Sequence, residues 1–212
     1  MQLQAVNDLG NLLFFLFLLA TIVLTILLIY RKLRGKTIRP IAIAIIGCLL
    51  TYAVVLVGAS LASRTRQLAL GTDKCFDDWC ASVTGSRVLP TANAAAGNAL
   101  VAITLRISNR ARRAAFRPSQ PRVMLTLPSG DTLAPSEVAQ REFEKQAVPQ
   151  DVLGKRLLAG ESFQTTLVFE VPASTRQASV VVLEGPAVIT RFLVADENSF
   201  FHKRMVYPIK LE

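Results

Sequence analysis

The stretch Ala99-Leu-Val-Ala-Ile-Thr-Leu-Arg-Ile-Ser108 puts Val101, Ile103, Leu105 and Ile107 at one parity and Leu100, Ala102, Thr104, Arg106 and Ser108 at the other. Strand side chains alternate between two faces, so this stretch predicts a half-buried β-strand. Runs of the same kind occupy 122–127, 162–171, 178–183 and 188–194, and a last strand is expected at 205–211. Pro128-Ser-Gly-Asp131, Gly160-Glu161, Pro172-Ala-Ser174 and Glu184-Gly-Pro186 supply turns between them. Only 135–146 has a helical pattern, with Ser136 as its cap and Val138 and Phe143 turned inward. Short strands separated by turns at these intervals predict an antiparallel sandwich.

Upstream the character changes. Residues 11–30 and 41–62 carry no charge at all, and about 20 apolar residues cross a bilayer as a helix. These two runs account for a hydrophobic content of 51% and a mean hydropathy of +0.40 in a chain of 212 residues. Such a composition excludes a soluble enzyme, a fibrous protein and a disordered tail. The expected organisation is a membrane anchor over 1–62, with two transmembrane helices, and an exported β-sandwich domain over 63–212. The latter is long enough for one compact core.

Between the two runs, 31–40 holds Arg31, Lys32, Arg34, Lys36 and Arg39 with no acid, whereas 1–10 holds only Asp8. The positive-inside rule places that short basic loop in the cytoplasm of a bacterial cell and both termini on the periplasmic or extracellular side of the inner membrane. The first run has no positive n-region and exceeds the 7–15 residues of a signal-peptide core, so it reads as a retained helix. Ile45-Ile46-Gly47-Cys48 has the shape of a lipobox, but the residues after Cys48 stay apolar where a lipoprotein turns polar. Cys48 therefore reads as a small apolar filler. Gly58 and Ala62, four apart, form a weak small-residue pair for helix approach.

The segments Leu105-Arg-Ile-Ser-Asn109, Val123-Met-Leu-Thr-Leu-Pro-Ser-Gly-Asp131, Leu157-Leu-Ala-Gly-Glu-Ser162 and Leu167-Val-Phe-Glu-Val-Pro172 carry a resemblance. Together they resemble the immunoglobulin-like extracellular domain of bacterial surface lipoproteins, over roughly 99–194. The resemblance implies an immunoglobulin-like β-sandwich that binds something outside the cell. This chain departs from that family in having two apolar helices in place of a lipidated N-terminus, and in its added Cys75-Phe-Asp-Asp-Trp-Cys80 segment.

Cys75 and Cys80 enclose that segment, and in an oxidising compartment a disulfide is the default for such a pair. Fully extended, the two Cα atoms would lie about 16 Å apart, whereas a bridge needs less than about 7 Å, so a bridged segment must turn. Trp79 would then anchor the sandwich edge, with Asp77 and Asp78 on the turn. A thiol-redox pair and a metal site built from the thiolates, Asp77, Asp78 and His202 are the competing readings. Redox enzymes favour two intervening residues over four, and a zinc or copper site wants more ligands. His202 is the one histidine, without a haem signature, and reads as a rim or hydrogen-bonded residue. Neither a Gly-x-Ser-x-Gly elbow nor a phosphate-binding glycine loop occurs. No catalytic residue, metal or cofactor is expected.

The net charge of +9 divides unevenly. Residues 1–62 hold five cations and one acid, and the rest hold 19 cations and 14 acids. Residues 79–130 hold seven arginines and no acid, with Arg110, Arg112, Arg113 and Arg117 crowded around Phe116 after the 99–108 strand. Such runs are often a solvated face, but Arg also grips anionic groups through its planar fork. The expected partners are integral membrane subunits, lipids and an acidic exported protein, and not nucleic acid. The expected function is that of a non-catalytic structural or interaction subunit of a bacterial membrane complex, respiratory or photosynthetic. The alternative is an envelope metal-binding or thiol-redox factor using the Cys75/Cys80 segment.

Overall fold

The computed structural model describes residues 2–76, 79–90, 97–118, 120–146, 150–185, 191–194, 196 and 199–211. The chain divides into two compact units, Met1–Thr65 with Pro186–Arg204, and Arg66–Gly185 with Met205–Glu212.

In the first unit, α1 (Gln2–Leu33) and α2 (Arg39–Ala62) are both long and apolar enough to cross a membrane. α1 ends where Gly35 takes a φ of +65°, a conformation that suits a residue without a Cβ, and Lys36 N–H turns back to the Arg31 carbonyl. Pro40, inside the first turn of α2, costs no hydrogen bond because that N–H would have no helical partner. The Phe17 and Tyr52 rings stack at 4.1 Å and join the helices. Most other apolar side chains along both, Phe15, Ile26 and Val54 among them, point outward.

The second unit is a β-sandwich. One sheet runs β1 (Arg66–Gln67), β9 (Met205–Lys210), β8 (Gln177–Leu183), β5 (Arg122–Thr126) and β6 (Thr132–Leu133). The other runs β2 (Lys74–Phe76), β3 (Trp79–Leu89), β4 (Asn98–Asn109) and β7 (Ser162–Pro172). All pairings are antiparallel except β1 with β9. β4 lies between β3 and β7, in register from Trp79↔Asn109 to Leu89↔Leu100 and from Asn98↔Pro172 to Ser108↔Ser162. Its Val101, Ile103, Leu105 and Ile107 meet Val123, Leu125, Val180, Val182, Tyr207 and Ile209 in the core between the sheets. The Tyr207 hydroxyl, fully enclosed, donates to the carbonyls of Thr72 and Ala81, so burying it leaves no lone polar group.

Three expectations change on the structure. The outer face of β4 is not uniformly exposed: Leu100 and Val168 pack beneath α3 (Glu137–Gln146) with Ala139, Leu89 and Phe143. The apolar Leu100 and Ala102 occupy that covered end, while Thr104, Arg106 and Ser108 continue toward water. Ser136 caps α3, its hydroxyl 3.4 Å from Ala139 N, but Val138 is 71% exposed and Ala139 takes the inward position. The Gln140 amide, which reaches the backbone of Thr166 and Val168, fixes that rotation. Arg191–194 is a helical turn instead of strand, and 188–190 lie outside the described residues. β3 shows no alternation in its small, mixed sequence, since Cys80, Ala81, Ser82 and Val83 are all buried and the register shifts between Val83 and Gly85.

Candidate interaction surface

One end of the sandwich gathers Cys75, Trp79 and Cys80 with the arginine-rich connection after β4. There β2 and β3 form a hairpin that sets Cys75 opposite Cys80 and Phe76 opposite Trp79. Hairpin pairing solves the distance problem of an extended segment: the Cα atoms are 3.9 Å apart and the two sulfurs are bonded. Cys75 is exposed and Cys80 buried. Trp79 is wholly enclosed, stacks on Phe76 at 4.6 Å, and donates its indole N–H to the Glu184 carboxylate at 3.0 Å. Lys74 is buried beside them, its ammonium 2.8 Å from the Val182 carbonyl and 5.0 Å from the centre of the Phe76 ring. A desolvated ammonium over an aromatic face gains from the ring quadrupole, so the cation strengthens the corner that Trp79 fills.

The last residue of β4 shapes the arginine-rich connection. Asn109 is buried, and its amide donates to the carbonyls of Ala114 at 2.9 Å and Leu157 at 3.1 Å while its oxygen accepts from Ala111 N–H at 2.8 Å. Its backbone bonds Glu161 and Gly160. Every polar group of this side chain thus has a partner, and together they pin 110–114 and the 157–161 turn to one point. Beyond it, Phe116 and Leu157 exchange two backbone hydrogen bonds of 2.9 Å in an antiparallel bridge. Arg117 Nε donates to the Gly154 carbonyl at 2.8 Å.

This scaffold sorts the five named contact residues. Arg112 and Arg113 stand exposed at the loop tip, and Arg117 is exposed beside the bridge. Phe116 is half-buried and packs against the core, which gives it a supporting position. Arg110 pairs with Asp73, which also accepts from Arg106 at 3.0 Å. Arg156 was not singled out in the sequence because it lies 39 residues from Arg117. The antiparallel bridge makes it the cross-strand neighbour of Arg117, and it too is exposed. Burial of the Asp73 carboxyl favours its neutral form, but hydrogen bonds and charge from Arg106 and Arg110 outweigh that and hold its pKa below the ordinary value.

Among the described residues, no three His, Cys, Asp or Glu side chains converge as metal ligands would. Asp77 and Asp78, considered with that chemistry, lie outside the described residues. His202 belongs to the helical unit, where it is half-buried and its Nδ1 makes no hydrogen bond among the described residues.

Replacing Asn109 with Ala should lower stability by about 1–3 kcal/mol, because the Ala114 and Leu157 carbonyls lose a buried donor. It should also raise proteolytic cleavage within 110–117, and unchanged cleavage would contradict the scaffold role. Asp73 predicts a pH signature. A carboxyl with a depressed folded pKa stabilises fully above its unfolded value of about 3.9 and loses that contribution as pH falls through the folded value. The melting-temperature advantage of the native chain over Asp73→Asn should therefore be level above about pH 5 and shrink below about pH 4. An advantage that grows on acidification would contradict the clamp.

No family model matches the chain, and no curated protein does. Among solved structures it is similar to a conserved hypothetical protein from Bacillus anthracis, at 13% identity and a TM-score of 0.44 over 54% of this chain and 88% of that one. It is similar to a secreted protein from Mycobacterium tuberculosis at 11% identity and a TM-score of 0.42, over 70% of this chain and 100% of that one. A third similar structure is an uncharacterized β-sandwich protein from Clostridium difficile, at 10% identity and a TM-score of 0.42, over 70% of this chain and 96% of that one. At such identities and TM-scores the likeness does not reach binding or activity.

Proposed function

We propose that this chain is a non-catalytic interaction subunit of a bacterial membrane complex. In this reading α1 and α2 cross the cytoplasmic membrane, the basic turn 31–40 stays in the cytoplasm, and an immunoglobulin-like sandwich outside presents its arginine-rich end to an acidic exported or membrane-bound protein. The observation that carries it is the placement of Arg112, Arg113, Arg117 and Arg156, four exposed guanidinium groups on a fixed support. Arg117 and Arg156 are cross-strand neighbours, and like charges so placed repel in the free chain. A partner carboxylate relieves that repulsion, and the planar fork of Arg suits carboxylates. Asp73 is already engaged by Arg106 and Arg110, and among the described residues no carboxylate forms an ion pair with any of these four arginines.

The topology rests on the charge asymmetry around the two helices. The disulfide between Cys75 and Cys80 suits an oxidising compartment outside the cytoplasm. Extraction in mild detergent with a tag on the full chain should recover a larger complex. A fourfold change of Arg112, Arg113, Arg117 and Arg156 to Glu should lose it without loss of the folded protein. Recovery of the native chain alone, or of the same complex with the charge-reversed chain, would overturn the reading.

A further inference from the structure

Pro186–Arg204 connects β8 to β9, yet it clusters with the two long helices. Its contacts climb α2 in order. The Tyr52 hydroxyl donates to the Phe192 carbonyl, the buried Ser60 and Ser199 hydroxyls meet at 3.2 Å, and Lys203 N–H donates to the Ser63 hydroxyl at 2.8 Å. Tyr52 precedes Ser63 by eleven residues, so this ladder spans about 16 Å of helix. Gly10 of α1 closes the other side, so near the Val194 carbonyl that a Cβ there would collide.

From these contacts we infer that the segment is a third membrane element, a re-entrant stretch that enters the outer leaflet and packs on α1 and α2. The inference rests on the proposal above that those helices cross the bilayer. With Ser63 at the membrane edge, a descent of about 16 Å brings Phe192 near the bilayer centre, since the hydrocarbon core is about 30 Å thick. Irregular backbone in hydrocarbon must bond within the protein, and several backbone groups of the described residues do so. Phe200 N–H donates to the Arg191 carbonyl, Asp196 N–H to that of Leu193, Ser199 N–H and hydroxyl to that of Asp196, and His202 N–H to that of Ser199.

The outward side chains fit the same solvent. Phe192, Phe200 and Phe201 are exposed although apolar, and Phe192 and Phe200 pack edge to face at 5.5 Å. Phe192 also closes an apolar cleft with Phe14, Phe17, Tyr52 and Leu56. Lys203 and Arg204 follow at the level of Ser63, with Arg64 one residue beyond it, all exposed. Aromatic residues inside and cations at the rim are the arrangement that holds a protein at lipid headgroups. Arg191, next to Phe192 in the chain and exposed, would snorkel toward the headgroups in this setting. The partner of this surface is therefore the outer lipid leaflet, its acyl chains against the three Phe rings and its phosphates against Lys203, Arg204 and Arg64.

Spin-label accessibility in the full chain tests this. With Cys48 replaced by Ala, nitroxide labels at Phe201→Cys, Phe192→Cys, Leu158→Cys and Leu27→Cys are compared in vesicles of phosphatidylcholine and phosphatidylglycerol. Phe201 is 69% exposed, so a label there leaves the packing intact, and Leu158, 61% exposed on the sandwich unit, is the aqueous reference. The 201 and 192 labels should show an oxygen-to-nickel accessibility ratio severalfold above that at 158, with 192 closer to the 27 value. If 201 and 192 match 158 while 27 reports lipid, the re-entrant element is overturned and the spanning helices stand. Should 27 also match 158, the membrane reading falls and this inference with it.

Discussion

β4 is hydrogen-bonded along both edges and covered on its inner face throughout, and the sandwich depends on that burial. Its buried side chains leave one arrangement of the facing sheets, because any slip by one residue would move Val101, Ile103, Leu105 and Ile107 out of the core. The strand then ends on a polar residue that is also buried. An amide enclosed without partners costs free energy, so the chain around Asn109 must supply them, and it does so by folding 110–114 and 157–161 against it. The shape of the arginine-rich connection is thus a consequence of core packing one residue upstream.

That dependence gives the proposed interface a physical character. A flexible connection would have to be ordered on meeting a partner, whereas one whose backbone is already braced incurs less of that cost. The disulfide and the Trp79–Glu184 contact brace the same end from the hairpin, and Asp73 holds Arg106 and Arg110 in place. Asp73 thereby holds two of the seven arginines of 79–130 against the domain. In the proposed membrane setting, the helical unit answers a different solvent. There the hydroxyls of Tyr52, Ser60 and Ser63 meet polar groups of Pro186–Arg204 that hydrocarbon could not satisfy.

Much of this architecture was legible in the sequence wherever a single period dominated. The uncharged runs and the alternation of 99–108 needed no tertiary knowledge, because an apolar run long enough to cross a membrane and the burial of one strand face are both written in the order of residues. What escaped depended on neighbours distant in the chain. β3 is buried on both sides with small residues, which erases alternation, and its pairing with β4 supplies the evidence that its own sequence lacks. Val138 and Ala139 exchanged roles because the Gln140 amide and the Leu100–Val168 surface decide the rotation of α3. The arginine cluster was visible as composition, but neither the pairing of Arg110 with Asp73 nor the approach of Arg156 to Arg117 could be read without the fold. The described residues 191–194 illustrate the same limit: Phe192, Leu193 and Val194 suit a strand as well as a helical turn, and the partner decides.

In the proposed function the exposed arginines of the 110–117 connection touch another protein. Photo-crosslinking in native membranes tests it most directly, with a photoreactive residue at Arg113 compared with one at Val138, exposed on α3. A discrete adduct with an acidic protein is expected from position 113, and none from position 138. No adduct at 113, or the same adducts from both positions, would contradict it.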